Sequence, residues 1–122
     1  MKSDARIYVA GHTGLAGSAL GRELRARGYT NVITRSRADL DLTNTQAVAA
    51  FFEAEKPEVV FLAAARVGGI LANDTYPAEF IQDNLAIQSN VIHEAWRAGT
   101  GRLFFLSSSC IYPRDCAQPI RE

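Results

Sequence analysis

Gly11-His12-Thr13-Gly14-Leu15-Ala16-Gly17 decides the fold class through what stands on either side of it. Before it, residues 6–10 (RIYVA) form a short β-branched and apolar run that stops at Gly11, and a run bounded by glycine reads as a buried strand. After it, from residue 14 to 27, Leu15, Ala19, Leu20 and Leu24 recur at helical spacing, and Gly28 follows as a C-terminal stop. A strand, a glycine turn and a helix are the setting that a dinucleotide fingerprint requires. The first glycine permits the tight turn, the second lets backbone N–H groups approach a pyrophosphate, and the third lets the helix pack closely on the strand. The helix N-terminus then offers partial positive charge to the phosphates. Three glycines also serve simply to make such a turn, so the residues around them have to decide.

Downstream the same alternation continues. Residues 31–35 (NVITR) give a second strand, and Asp39-Leu40-Asp41-Leu42 alternates polar and apolar like a brief third one. Thr43 or Asn44 then caps a helix carrying Val48, Phe51 and Phe52, which ends before Pro57. Residues 59–62 (VVFL) form a fourth strand that breaks into Ala63-Ala64-Ala65, and residues 67–76, with two adjacent glycines and an Asn-Asp pair, read as a loop. A long helix follows, with Ile81, Leu85, Ile92 and Trp96 as its apolar stripe and Gly99 and Gly101 closing it. Residues 103–106 (LFFL) form a fifth strand ending in Ser107-Ser108-Ser109-Cys110. By layer logic and right-handed crossovers this order predicts a doubly wound α/β domain over residues 1–122, with a parallel sheet covered on both faces.

The bulk composition narrows the function classes. The chain is 48% apolar and 21% charged, as expected of one ordinary globular domain. Thirteen basic and thirteen acidic residues cancel without blocks of like charge, which gives no footprint for nucleic acid or an anionic membrane. No apolar leader segment or bilayer-length stretch is present, so a cytoplasmic location is expected. Cys110 and Cys116 are expected to be free thiols, and His12 and His93 have no metal-ligand spacing with them, so no metal site is expected.

Candidate ligand-binding residues gather at the carboxyl ends of the predicted strands. The turn residues Gly11, His12, Thr13, Gly14, Leu15, Ala16 and Gly17 form the phosphate cradle. At the end of the second strand no acidic residue stands ready for a ribose 2′-hydroxyl; Arg35 and Arg37 flank Ser36 instead, and guanidinium groups pair with a 2′-phosphate, which favours NADP(H) over NAD. Asp41 and Leu42 contact the adenine end or merely form the short strand and cap. Ala63, Ala64 and Ala65 lie at the topological switch point, where small side chains leave room for a ligand or for close packing. Asn84, a poor helix former inside a helix, bonds either a neighbouring loop or the nicotinamide-side ribose. Leu106 and Ser107 complete the cofactor-binding set at the end of the fifth strand. Just beyond, Ser108 and Cys110, two apart in an extended segment, turn a hydroxyl and a thiol to one side as candidate catalytic groups, although serine after a strand and cysteine in a core are also ordinary structural residues.

The glycine spacing resembles that of extended short-chain dehydrogenases. Together with GHTGLAGSAL (11–20), LAAARVGGILANDTYPAEFIQDNLAIQSNVI (62–92) and LSSSCIYP (106–113), it makes nearly the whole chain similar to the N-terminal half of the GDP-L-fucose synthase family. The resemblance implies an NADP-binding Rossmann-type domain, the N-terminal part only, of an enzyme that epimerises GDP-4-keto-6-deoxy-D-mannose at C3 and C5 and then reduces C4. It implies that Ser108 hydrogen-bonds the C4 oxygen and that Cys110 is the base in epimerisation. It further implies a homodimer at full length. Two features depart from the family. Neither Tyr76 nor Tyr112 has a lysine four residues on, so the family's Tyr-x-x-x-Lys pair is missing and the 122 residues alone are expected to be inactive. Thr13 stands where some members carry an arginine, which leaves Arg35 and Arg37 to select the 2′-phosphate. Two other expectations stand beside this one: another nucleotide-sugar epimerase or dehydratase, and a non-catalytic nucleotide-binding domain.

Overall fold

The computed structural model describes residues 1–108, 111–113 and 115–120. Its elements run β1 (Ile7–Ala10), α1 (Leu15–Ala26), β2 (Val32–Ile33), α2 (Thr45–Glu55), β3 (Val59–Leu62), α3 (Ile70–Thr75), α4 (Pro77–Arg97) and β4 (Arg102–Phe105). The four strands form one parallel sheet in the order β2-β1-β3-β4. The reversal of winding falls between β1 and β3, where β1 and β3 pair from Ile7 with Val59 to Ala10 with Leu62.

Alternation along the central strands builds two cores. Tyr8, Ala10, Val60 and Leu62 face α2 and α4 and pack with Val48, Phe51, Phe52, Val91 and Ala95. Ile7, Val9 and Val59 face the other way and pack with Leu24 of α1, joined by Leu20, Val32 and Phe61. On the first side the rings of Tyr8, Phe51 and Phe52 meet at centroid distances of 4.5, 6.2 and 5.5 Å, two of the three pairs edge to face. Burial pushes the Tyr8 hydroxyl well above its ordinary pKa, against the opposing pull of the Arg35 charge, so it stays protonated.

Several expectations need correcting. Residues 39–42 are not a third strand, so among the described residues the sheet has four strands and not five. The N–H groups of Asp39 and Leu40 both donate to the Ser36 carbonyl, at 3.1 and 2.9 Å, and this local turn takes the bonds a ladder would need. The second strand is also shorter than expected, only Val32–Ile33. The loop expected over residues 67–76 contains α3: Asn73 Nδ2 donates to the carbonyls of Gly68 and Gly69 at 3.0 and 3.1 Å, so the glycine pair leads into a helical turn.

The apolar stripe expected to bury α4 points outward: Ile81 is 62% exposed and Trp96 76%, with Leu85 and Ile92 between them also exposed. The helix packs through Phe80, Val91, Glu94 and Ala95 instead. It has apolar residues on two faces, and the sheet covers only one. Likewise α1 rests on Gly17, Gly21 and Leu24, while Leu15 is almost fully exposed. At the sheet's edge, Phe104 and Phe105 of β4 and Leu106 just after it are about half exposed, although Phe104 stacks on Phe61 at 4.9 Å. Among the described residues, no helix is long and apolar enough to cross a membrane.

Candidate functional site

The carboxyl ends of β1, β2 and β3 open into one cavity of about 420 Å³. It brings together Gly11, His12, Thr13, Gly14 and Leu15 from the turn, Arg35, Arg37, Asp41 and Leu42 from the segment after β2, and Ala63, Ala64 and Ala65 from the end of β3. Ala16 and Gly17 lie in the first turn of α1 behind it. Leu106, Ser107 and Ser108 continue from β4 along the same sheet edge and are exposed, outside the cavity wall. The Leu106 N–H still reaches the Leu62 carbonyl at 3.1 Å, which extends the ladder one bond past β4. Cys110 lies outside the described residues.

The three glycines have different local reasons. Gly11 has φ +80°, and a β-carbon there would come within 2.7 Å of the Ala63 carbonyl oxygen. On Gly17 a β-carbon would lie 2.1 Å from the Gly11 carbonyl oxygen, so the chain itself requires glycine at both positions. Gly14 differs, because a β-carbon there would meet nothing nearer than the Gly11 oxygen at 3.4 Å. Gly14 is the N-cap of α1, no side chain caps that helix, and no acidic residue occupies its first turn. The leading N–H groups of a twelve-residue helix therefore face open space, the arrangement that receives an anion. Beside them, the Nδ1 atom of His12 is buried without a hydrogen-bond partner.

At the other end of the cavity the two arginines separate. Arg35 pairs with Glu55, donates to the Thr34 carbonyl at 2.9 Å, and lies over the Phe51 ring at 5.6 Å. Among the described residues Arg37 makes no hydrogen bond or ion pair, and it is exposed. Asp41 accepts from the Thr43 N–H at 3.0 Å and the Thr43 hydroxyl at 2.8 Å; these bonds, with a smaller contribution from Arg37, hold its carboxyl below the usual range. Asn90 Nδ2 fixes the neighbouring Leu42 carbonyl at 2.9 Å.

Asn84 is engaged with a loop. Its Oδ1 accepts from the Arg66 N–H at 2.8 Å and its Nδ2 donates to the Arg66 carbonyl at 3.0 Å, a two-point clamp on the segment that follows Ala65. Sequence reasoning passed over Ser36, Arg66 and Asp83, all of which line the cavity. Arg66 pairs with Asp83 at 2.9 Å and lies over Phe80 at 4.7 Å, and its position directly after the alanine run was the available signal.

This cleft at the switch point of a parallel sheet agrees with comparisons to known proteins. A model described as the NAD dependent epimerase/dehydratase family matches residues 7–122. The chain belongs to that family. Within it, the chain is 57% identical over 118 residues to GDP-L-fucose synthase 1 of Arabidopsis thaliana, covering 97% of this chain and 36% of that protein. It is 48% identical over 120 residues to the GDP-L-fucose synthase of Escherichia coli K12, covering 98% and 37%. A solved structure of a GDP-D-glycero-L-gluco-heptose synthase from Campylobacter jejuni, determined in the presence of NADPH, superposes with a TM-score of 0.95 at 45% identity, over 99% of this chain and 35% of that one. The chain thus spans little more than a third of the length of the curated relatives it matches.

Proposed function

We propose that the protein carrying this chain is an NADPH-dependent epimerase-reductase that converts GDP-4-keto-6-deoxy-D-mannose to GDP-L-fucose, and that this chain supplies its cofactor-binding part. The observation that carries the reading is the cavity with an uncapped helix N-terminus at one end and, at the other, Arg37, unpaired among the described residues, in a chain similar along its whole length to GDP-L-fucose synthases. The residues fit the cofactor. The N–H groups after Gly14 suit a pyrophosphate, Leu42 and Asp41 suit the adenosine, Ser36 and Arg37 suit a 2′-phosphate, and the open wall of Ala63 to Ala65 suits the nicotinamide side. Bound NADPH supplies the hydride that reduces the C4 ketone.

The remaining chemistry belongs to side chains. The ketone acidifies the C–H bonds at C3 and C5, so a base there removes a proton that an acid returns from the opposite face. In this reading Ser108 donates a hydrogen bond to the C4 oxygen and stabilises the negative charge that develops on it, and Cys110 is the base. The Ala63 to Ala65 wall keeps the cofactor end of the cleft apolar. Asn84 acts on the cofactor indirectly, through the Arg66 segment it clamps.

The test is direct. The full-length protein, given GDP-4-keto-6-deoxy-D-mannose, is expected to oxidise one NADPH for each GDP-L-fucose formed. A full-length protein that leaves NADPH unoxidised sinks the reading. A second reading, reduction of a GDP-linked 4-keto heptose, is supported by the likeness to a Campylobacter jejuni structure named as a GDP-6-OMe-4-keto-L-xylo-heptose reductase. Comparing kcat/KM for the two sugars in the same assay decides between them. A homodimer is part of the proposal, supported by the exposed stripe of Ile81, Leu85, Ile92 and Trp96 on α4, and light scattering of the full-length protein tests it. A cytoplasmic location is also part of it, since the reaction needs a supply of NADPH, and cell fractionation tests that.

A further inference from the structure

The segment after β2 offers three donors to an anion: the Ser36 N–H, the Ser36 hydroxyl and the Arg37 guanidinium. Two of the three are already in use. One carboxylate oxygen of Asp39 accepts from Ser36 Oγ at 2.6 Å and from the Ser36 N–H at 3.2 Å. The Asp39 N–H in turn donates to Ser36 Oγ at 3.3 Å. Arg35, the other cation at this end, is spent on Glu55, on the Thr34 carbonyl and on the face of Phe51. Even so, the Arg35 charge and, more weakly, that of His12 in the facing glycine turn act on the Asp39 carboxylate. A protein carboxylate thus sits on the donors of the cavity's cationic end.

We propose that Asp39 is a specificity-determining residue, an internal anion that a cofactor 2′-phosphate must turn away from Ser36 and that a plain ribose leaves in place. The inference rests on the NADPH reading given above. Its physical content is competition: phosphate and carboxylate want the same N–H and O–H donors, and like charges at that spacing repel. Asp39 is exposed, so turning it outward needs only a change of side-chain rotamer. Asp39 therefore lowers the preference for NADPH over NADH without abolishing it.

The experiment measures dissociation constants for NADPH and NADH by calorimetry on the full-length protein, together with adenosine 2′,5′-bisphosphate and 5′-AMP as minimal probes. Asp39→Asn keeps the size and an acceptor but removes the charge, and Asp39→Ala removes the occupant. Both are expected to raise the NADPH-to-NADH preference by roughly three- to tenfold, mainly by tightening NADPH, with the bisphosphate following NADPH and AMP unchanged. Ser36→Ala is expected to weaken NADPH and to shrink the effect of Asp39→Asn when the two are combined. An unchanged or lowered preference in both Asp39 variants, with wild-type protein binding both cofactors, overturns the role of Asp39 and leaves the NADPH reading standing. Failure of the wild-type protein to bind either cofactor overturns both.

Discussion

Gly17 sits directly beneath Gly11, so close that a β-carbon on Gly17 would lie 2.1 Å from the Gly11 carbonyl oxygen. Gly17→Ala must therefore push α1 off β1 and is expected to cost roughly 3 kcal/mol or more. Gly14→Ala meets only ordinary contact and should change stability by about 1 kcal/mol or less. Yet it fills the space in front of the helix N-terminus and should weaken NADPH on the order of tenfold. Urea denaturation and calorimetry on the two variants separate a glycine the fold needs from one the ligand needs.

The two arginines should part in the same way. Arg37→Ala is expected to weaken NADPH on the order of tenfold, leaving NADH binding and Tm nearly unchanged, because among the described residues Arg37 makes no hydrogen bond or ion pair and acts only through its charge on the exposed Asp41. Arg35→Ala should lower stability by about 1 kcal/mol through loss of Glu55 and the Phe51 face, with a smaller change in the NADPH-to-NADH ratio. The idea that Arg37 selects the phosphate fails if Arg35→Ala moves that ratio more than Arg37→Ala does.

Removing the Asn84 clamp leaves an N–H and a carbonyl of Arg66 without their partner. Asn84→Ala is expected to cost about 1–2 kcal/mol and to raise the KM for NADPH more than it lowers kcat. A fall in kcat alone, at unchanged KM, would point to direct contact of Asn84 with the reacting groups.

Acid should loosen the segment after β2 before it unfolds the sheet. Hydrogen bonds from Ser36 lower the carboxyl of Asp39, and those from Thr43 lower that of Asp41, both from an ordinary value of 3.8. A depressed folded pKa means stabilisation that is full above the unfolded value and is lost as pH falls through the folded one. The amides of Ser36 and Thr43 should thus stay protected from hydrogen exchange at pH 5 and lose protection only below about 3.8, while the amides of β1 remain protected.

The central strands and the glycine turn were legible because their signals are local and agree with one another. RIYVA, VVFL and the G-x-x-G-x-x-G spacing each point to the same sheet edge, and twelve of the expected ligand-binding residues do line one cavity. The misreadings share a cause, competition that periodicity does not register. Asp39 to Leu42 alternate like a strand, yet the Ser36 carbonyl takes the N–H groups of Asp39 and Leu40. On α4 two apolar faces compete for one sheet, and Val91 and Ala95 win over Ile92 and Trp96. Arg35 and Arg37 look equivalent in sequence, and the approach of Glu55 and Phe51 from α2 tells them apart.

Among the described residues the outer edge of β4 has no strand beside it, and its two faces carry half-exposed phenylalanines at 104 and 105. An unpaired edge with aromatic surface is a template for another molecule's backbone. Produced at high concentration as these 122 residues, the chain would aggregate first along β4, and a lysine in place of Phe104 would be the substitution to try for keeping it in solution.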